Sequence, residues 1–339
     1  MLYPLARTAL FRLDAEQAHN LTIKLFSEFP RLATAPFCQS VRPDPVMLMG
    51  LRFPNRIGLA AGLDKNGECI AAWGRLGFGF VEIGTVTPRP QPGNPRPRMF
   101  RLPQQQAIIN RLGFNNKGVD YLLDRVRASR ENFQGILGIN IGKNFDTPIE
   151  RASDDYAECL RKIYPFADYV TINISSPNTK NLRDLQQESQ LHDLLSRLTL
   201  LRAGLAQQHG VRRPMLVKIA PDVSAAQIEQ IAKIARELDI DGLIATNTTI
   251  SRPAQLAGVR HAAEQGGLSG APLRELADAT LRRLRTAVGH DFVLVGVGGV
   301  TQAGHARAKR DAGADLVQIY TGFIYRGPEL VAECARVLA

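Results

Sequence analysis

The sequence lacks any apolar run long enough to cross a membrane. Its longest, counting glycine, is the nine residues Phe292–Val300, against the roughly 20 that a spanning helix needs. The opening stretch, MLYPLARTALFRLDAEQ, is broken by arginines and acids and does not read as a cleaved secretory signal. Cysteine is scarce. Cys38, Cys69, Cys159 and Cys334 form no C-x-x-C pair and no metal spacing, so buried thiols in a reducing cytosol are expected. The six histidines include no H-x-H and no H-E-x-x-H, and no metal is expected. Acids are missing from Ile83 to Val119, where Arg89, Arg96, Arg98, Arg101, Arg111 and Lys117 all fall. The net charge of +10 suits nucleic acid, an anionic membrane or small anions. The basic stretch is rich in proline and has no aromatic ladder for bases, so nucleic acid is not an expected partner. A solvated loop and an anion-attracting loop both remain open for it.

What is present is an ordinary globular composition, 45% apolar and 22% charged. The length of 339 residues allows two domains, but α/β barrels run longer as one. Residues 1–30 read as two amphipathic helices. The second is capped by Asp14, offers Ala18, Leu21, Leu25 and Phe29 on one face, and is ended by Pro30. A linker, Pro36 to Pro45, follows. The helices either pack on the main domain or present an apolar patch to lipid or a lipid-like ligand. Their lack of catalytic motifs suggests a segment, residues 1–45, separable from a barrel over 46–339.

From residue 55 short apolar runs alternate with helical stretches. The runs are Ile57–Ala61, Phe80–Thr85, Ile136–Ile141, Tyr169–Ile174, Met215–Ile219, Gly242–Thr246, Phe292–Gly296 and Leu316–Tyr320. Helices are expected over Asp155–Tyr164, Gln190–Gln208, Ser224–Leu238 and Pro272–Val288. Eight such βα units predict a closed (β/α)8 TIM barrel. An open doubly wound sheet is the alternative, weakened because the first strand lacks a G-x-G-x-x-G turn.

Barrel chemistry sits where strands end. Those ends carry Ala61–Lys65, Thr85, Asn140, Asn173 to Asn178, Lys218, Thr246 to Thr248, Gly296 to Gly299 and Tyr320-Thr321. Acids are few, which disfavours a carboxylate-pair hydrolase. Asparagines offer both donors and acceptors, suited to a heterocycle with alternating C=O and N–H groups, although any one could simply cap a turn. Glycines after the seventh strand, with Tyr320-Thr321-Gly322 after the eighth, match a common barrel phosphate site. A phosphate-bearing cofactor such as flavin mononucleotide (FMN) fits, with a lysine to stabilise charge on the reduced ring. Ser176, between Ser175 and Pro177, is either a turn-capping hydroxyl or a proton acceptor that needs help from its surroundings.

Together the motifs GLAAGLDKNGE (58–68), EIGTVTPRPQPGNPRPRMFRL (82–102), INRLGFNNKG (109–118), GINIGKN (138–144), INISSPNT (172–179), VKIAPD (217–222), IATNTT (244–249), GGLSG (266–270), GVGGV (296–300) and QIYTGF (318–323) resemble the dihydroorotate dehydrogenases, specifically their class 2, quinone-dependent, membrane-associated type. The resemblance runs over nearly the whole chain. It implies oxidation of dihydroorotate to orotate in pyrimidine synthesis, with electrons passing through FMN to a quinone. It makes Ser176 the catalytic base, where class 1 relatives use cysteine. It assigns substrate contacts to Lys65, Asn110, Arg111, Leu112, Gly113, Phe114, Asn173, Asn178, Asn247 and Thr248. It assigns flavin contacts to Ala61, Gly62, Leu63, Asp64, Lys65, Thr85, Asn140, Asn173, Lys218, Thr246, Gly270, Gly299, Tyr320 and Thr321. It makes residues 1–45 the quinone entrance, with His19, Arg101 and Tyr320 near the quinone head. The implied setting is peripheral, on the cytoplasmic side of a bacterial inner membrane, and the implied state a monomer. The competing readings are a soluble class 1 relative using fumarate or NAD, and a non-catalytic flavin-binding barrel.

Overall fold

The computed structural model describes residues 2–339. Eight parallel strands close into a barrel: β1 (Ile57–Leu59), β2 (Phe80–Val86), β3 (Ile136–Ile141), β4 (Tyr169–Asn173), β5 (Met215–Ile219), β6 (Gly242–Ala245), β7 (Val293–Val297) and β8 (Leu316–Ile319). Each pairs with its neighbour in sequence, and β8 returns to β1. These are the eight expected runs, with their ends displaced by a residue or two. Their residues are buried almost throughout, as strands must be when a core lies inside and helices outside. The four expected helices are also present, over Ala152–Ile163, Glu188–His209, Ala225–Glu237 and Arg274–Val288. Ser224 starts the third with a capping box to Gln227.

Two additions close the barrel's ends, and neither stood out in the sequence. A hairpin, Val46–Leu48 with Leu51–Phe53, plugs the bottom. Its Phe53 ring meets Phe80 edge-on at 5.4 Å and is fully buried. Above the C-terminal mouth lies a three-stranded antiparallel sheet of Met99–Leu102, Ala107–Asn110 and Gly267–Gly270. The middle strand brings Asn110 to the mouth, and Arg101 turns outward from the first.

The N-terminal segment forms α1 (Tyr3–Leu10), α2 (Ala15–Glu28) and α3 (Pro30–Thr34). Asp14 caps α2 as expected, accepting from the N–H groups of Glu16 and Gln17 at 2.9 and 3.2 Å. Pro30 does more than stop α2. It occupies the first position of α3, where a missing N–H costs nothing. Leu2, Leu5, Leu21, Leu25, Phe29 and Leu32 stay exposed. Polar contacts fasten the segment to the barrel. Tyr3 donates to the Ile324 carbonyl at 2.6 Å, and Arg7 donates to the Tyr325 carbonyl at 2.8 Å. Glu16 is buried against Arg98. Of the four cysteines, Cys69, Cys159 and Cys334 are buried, but Cys38 is exposed on the connection after α3, contrary to a uniformly buried set.

Candidate active site

A cavity opens between the strand ends and the antiparallel sheet. A ladder of side chains climbs into it from below. Glu82, on β2, is fully buried. Asn140 donates to it at 2.8 Å, Thr85 donates to Asn140 at 2.6 Å, and Asn173 donates to Thr85 at 2.8 Å. Asn247 then reaches Asn173 at 3.4 Å and Ser175 at 3.0 Å. Three strands and the β6 loop supply these rungs because adjacent parallel strands place their residues at matching heights. Asn178 donates to Asn110 at 3.3 Å across the mouth.

Two ammonium groups face the same space. Lys218, on β5, is buried and makes no hydrogen bond or ion pair among the described residues. Burial lowers its pKa, and Glu82 is the charge opposing that fall. Lys65 donates to Asn115 at 2.8 Å. Burial, with Arg98 nearby, brings Lys65 down to about 7, while Glu16 acts the other way. Tyr320 forms part of the wall, its phenol pushed up to about 12 by burial and therefore neutral.

Ser176 lines the cavity and is nearly enclosed. Its Oγ accepts from the Asn178 N–H at 3.2 Å, so the turn-capping geometry is real, while the hydroxyl proton is free to point elsewhere. The turn is braced by Arg183, which donates to the carbonyls of Ser175 and Thr248 at 3.1 and 2.9 Å and pairs with Asp222.

Most residues singled out from the sequence meet here. Ala61, Gly62, Asn110, Leu112, Gly113, Phe114, Asn178, Thr246, Asn247, Thr248, Gly270, Gly299 and Thr321 all line the cavity. Several do not. Asn140 lies beneath the floor as a rung of the ladder. Asp64 turns away and accepts from the N–H groups of Glu68 and Cys69 and from the Trp73 indole, all within 3.0 Å. Arg111 points outward to Glu264 at 2.8 Å. Leu63 and His19 line a neighbouring groove between α2 and the barrel, which shares Lys65 with the main cavity. Arg101 stacks on Phe11 at 4.5 Å and donates to the carbonyls of Leu10 and Leu13. Sequence reasoning passed over Ser269, which the Thr321 hydroxyl contacts at 2.8 Å, and Gln318, whose amide reaches Glu82 at 2.8 Å. Ser269 lies inside the GGLSG motif and Gln318 opens QIYTGF, so the motifs held both without indicating a role.

Among the described residues no aspartate, glutamate or histidine lines the cavity. That excludes a carboxylate-pair hydrolase and a serine–histidine hydrolase alike. The remaining polar set is amides, hydroxyls and two lysines, which offers hydrogen bonds and positive charge to a bound molecule. The fold and site thus define a (β/α)8 barrel with a polar ligand cavity at the C-terminal ends of its strands.

The comparisons with known proteins identify the family. A family model for dihydroorotate dehydrogenase matches residues 45–339. A protein of Azoarcus sp. (strain BH72) named dihydroorotate dehydrogenase (quinone) is 60% identical over 339 residues, covering 100% of this chain and 99% of its own. One of the same name from Aromatoleum aromaticum is 59% identical, covering 99% and 95%. A crystal structure from Eimeria tenella, of DHODH in complex with ferulenol, superposes with a TM-score of 0.89 at 38% identity, covering 96% of this chain and 90% of that one. The chain belongs to the dihydroorotate dehydrogenase family, and within it stands with the members named for quinone.

Proposed function

We propose that the chain oxidises (S)-dihydroorotate to orotate with FMN and passes the electrons to a membrane quinone, in de novo synthesis of UMP. The observation that carries the reading is Lys218, a buried lysine that faces the cavity and makes no hydrogen bond or ion pair among the described residues. A buried cation without a hydrogen bond is costly, and a ring that gains negative charge on reduction satisfies it. The rest of the cavity fits the same group. Thr85, Asn173 and Thr246 would hold its ring. Gly270, Gly299 and Thr321 would hold its phosphate, where the helix Thr321–Arg326 starts with first-turn N–H groups that have no acceptor inside the helix.

When bound, the flavin supplies the two-electron acceptor for the substrate and the link to quinone. Lys65 binds the substrate carboxylate, and Asn110, Asn173, Asn178 and Asn247 meet the alternating C=O and N–H groups of the ring. Ser176 Oγ takes the proton from the carbon next to the one that loses hydride. Arg183 keeps that hydroxyl in place, and the enclosing walls exclude water.

Residues 1–45 would form the quinone entrance, with the exposed leucines and Phe29 resting on the lipid surface. His19, Arg101 and Tyr320 would meet the quinone head. Among the described residues no helix is long and apolar enough to cross a membrane, which is compatible with peripheral attachment to the cytoplasmic face of a bacterial inner membrane. The protein would act as a monomer.

The test is optical. The purified protein should be yellow, release FMN on acid precipitation, bleach with dihydroorotate and regain its colour with a long-chain quinone. A folded colourless protein, or a yellow one that dihydroorotate does not bleach, overturns the reading.

A further inference from the structure

Gln91 lies on the stretch after β2 that runs beside the loop bearing Asn110 to Phe114. Its backbone exchanges two hydrogen bonds with Asn116, both at 3.0 Å. Its side-chain amide is used in full. Oε1 accepts from Asn144 Nδ2 and from the Phe145 N–H, both at 2.9 Å. Nε2 donates to the carbonyls of Gly113 and Phe114 at 3.2 and 3.1 Å. A flipped amide would set its oxygen against two carbonyls and its nitrogen against two donors, so one orientation is fixed. Asn94 continues the pattern. Its N–H donates to the Leu112 carbonyl at 3.1 Å, and its Nδ2 to that of Arg111 at 2.9 Å. Four consecutive carbonyls, Arg111 to Phe114, are thus drawn toward the stretch from Gln91 to Asn94.

The consequence falls on the other edge of each peptide. In a planar trans unit the N–H points opposite to the C=O. The N–H groups of Gly113 and Phe114 have no acceptor among the described residues, and both residues line the cavity. Both also lie in the left-handed region, at φ 72° and 55°. That conformation is unfavourable for a phenylalanine and persists only where its neighbours hold it. Here Gln91 and Asn116 hold it, both donating to the Phe114 carbonyl. We propose that Gln91 is a positioning residue for the substrate: it fixes these two peptides so that N–H groups, rather than carbonyl oxygens, meet an anionic heterocycle such as orotate. This rests on the dihydroorotate reading above. Gln91 does not itself line the cavity, so it acts through the loop.

The experiment titrates the flavin spectrum of the holoprotein with orotate in the wild type, Gln91→Glu and Gln91→Met, and measures bleaching by saturating dihydroorotate. The wild type comes first. If it neither binds orotate nor bleaches, the functional reading fails, and that failure is distinct from failure of this inference. Gln91→Glu keeps the length and the acceptor but loses both donors. Gln91→Met keeps the length alone. Both should weaken orotate binding by about 10-fold or more. The limiting rate of bleaching should change by less than about 3-fold, as when binding is lost equally from ground and transition states. A space-filling role would leave Gln91→Met near the wild type. A role confined to holding Asn144 and Phe145 would leave Gln91→Glu near the wild type. Either result overturns the proposal. If one variant does not retain flavin, the other decides alone: weaker orotate binding supports the proposal, and unchanged binding overturns it.

Discussion

Glu16 and Arg98 form a buried ion pair, Oε1 to Nη2 at 2.7 Å, that ties α2 to the basic loop before the antiparallel sheet. The Arg98 guanidinium also donates to the carbonyls of Pro92 and Asn94 at 2.7 Å. Asn94 in turn donates to the carbonyls of Arg111 and Asn178 at 2.9 and 3.2 Å. The helix proposed to receive quinone is thus three contacts away from the loop proposed to receive substrate.

Glu16→Gln should destabilise the protein by about 3–5 kcal/mol at pH 7, because Arg98 stays buried with its charge unpaired. Burial raises Glu16's pKa, but hydrogen bonds and charge from Arg98 and Arg96 outweigh it, and the net direction is down from 4.5. A carboxyl with a lowered folded-state pKa gives stability that is present above its ordinary value and lost as pH falls through the folded one. The gap in melting temperature between wild type and variant should be full at pH 7 and narrow only below pH 4.5. A gap that is absent at pH 7 would show the pair to be dispensable. Deleting residues 1–40 also removes Glu16, so a truncated barrel should carry the same penalty.

Ser176→Ala should keep its flavin and its orotate binding while bleaching by dihydroorotate slows by at least about 10²-fold, the lower end for a lost general base. Ser176→Cys should fall between the two, since a thiol gives up its proton more readily than a hydroxyl. Stopped-flow absorbance at the visible flavin band reads this directly. Near-normal bleaching in the alanine variant would assign the proton to another group.

Lys65 should make orotate binding pH-dependent. Its pKa lies near 7, well below the usual 10.5, and an anion prefers its protonated form. Orotate affinity in the wild type should decline as pH rises through about 7. Lys65→Ala should weaken binding by roughly 10- to 100-fold at pH 6, from the loss of about 1.5–3 kcal/mol, and should flatten the pH dependence. Titration of the flavin spectrum with orotate at several pH values checks both. The stability sign is the same as that for Glu16, at a higher pH. Between the folded and unfolded values the unfolded chain holds a proton that the folded chain does not, so Lys65 contributes a stability that rises with pH.

His19 should remain neutral at pH 7, because burial and the charge of Lys65 bring it down to about 4. Between 6.5 and 4 the unfolded chain binds a proton that the folded one refuses, so acid costs stability. His19→Gln should lose less stability than the wild type on going from pH 7 to pH 5, measured by urea midpoints. Equal losses would mean that His19 titrates normally.

The barrel was legible because its strands are continuous apolar runs with glycine and asparagine at their ends, and such runs have few other uses. Ser176, Lys65 and Lys218 were legible for the same reason, as strand-end residues. The antiparallel sheet was not. Its third strand, Gly267–Gly270, pairs with Ala107–Asn110 across a long stretch of sequence, and Met99–Leu102 follows a proline-rich stretch that reads as loop. The Glu16–Arg98 pair spans 82 positions and leaves no local pattern. Glu82 sat in plain view within EIGTV, but a single acid in an apolar strand carries no sign of whether it faces core or solvent until the barrel closes around it.

The ladder above Glu82 has a sense of direction. Asn140, Thr85, Asn173 and Asn247 each donate downward, toward the carboxylate. A rung that reversed would set donor against donor on one side and acceptor against acceptor on the other. The ladder therefore constrains descent as well as chemistry. A lineage cannot exchange one asparagine for aspartate, or the threonine for valine, without altering its neighbour, so changes at these positions should arrive together or not at all.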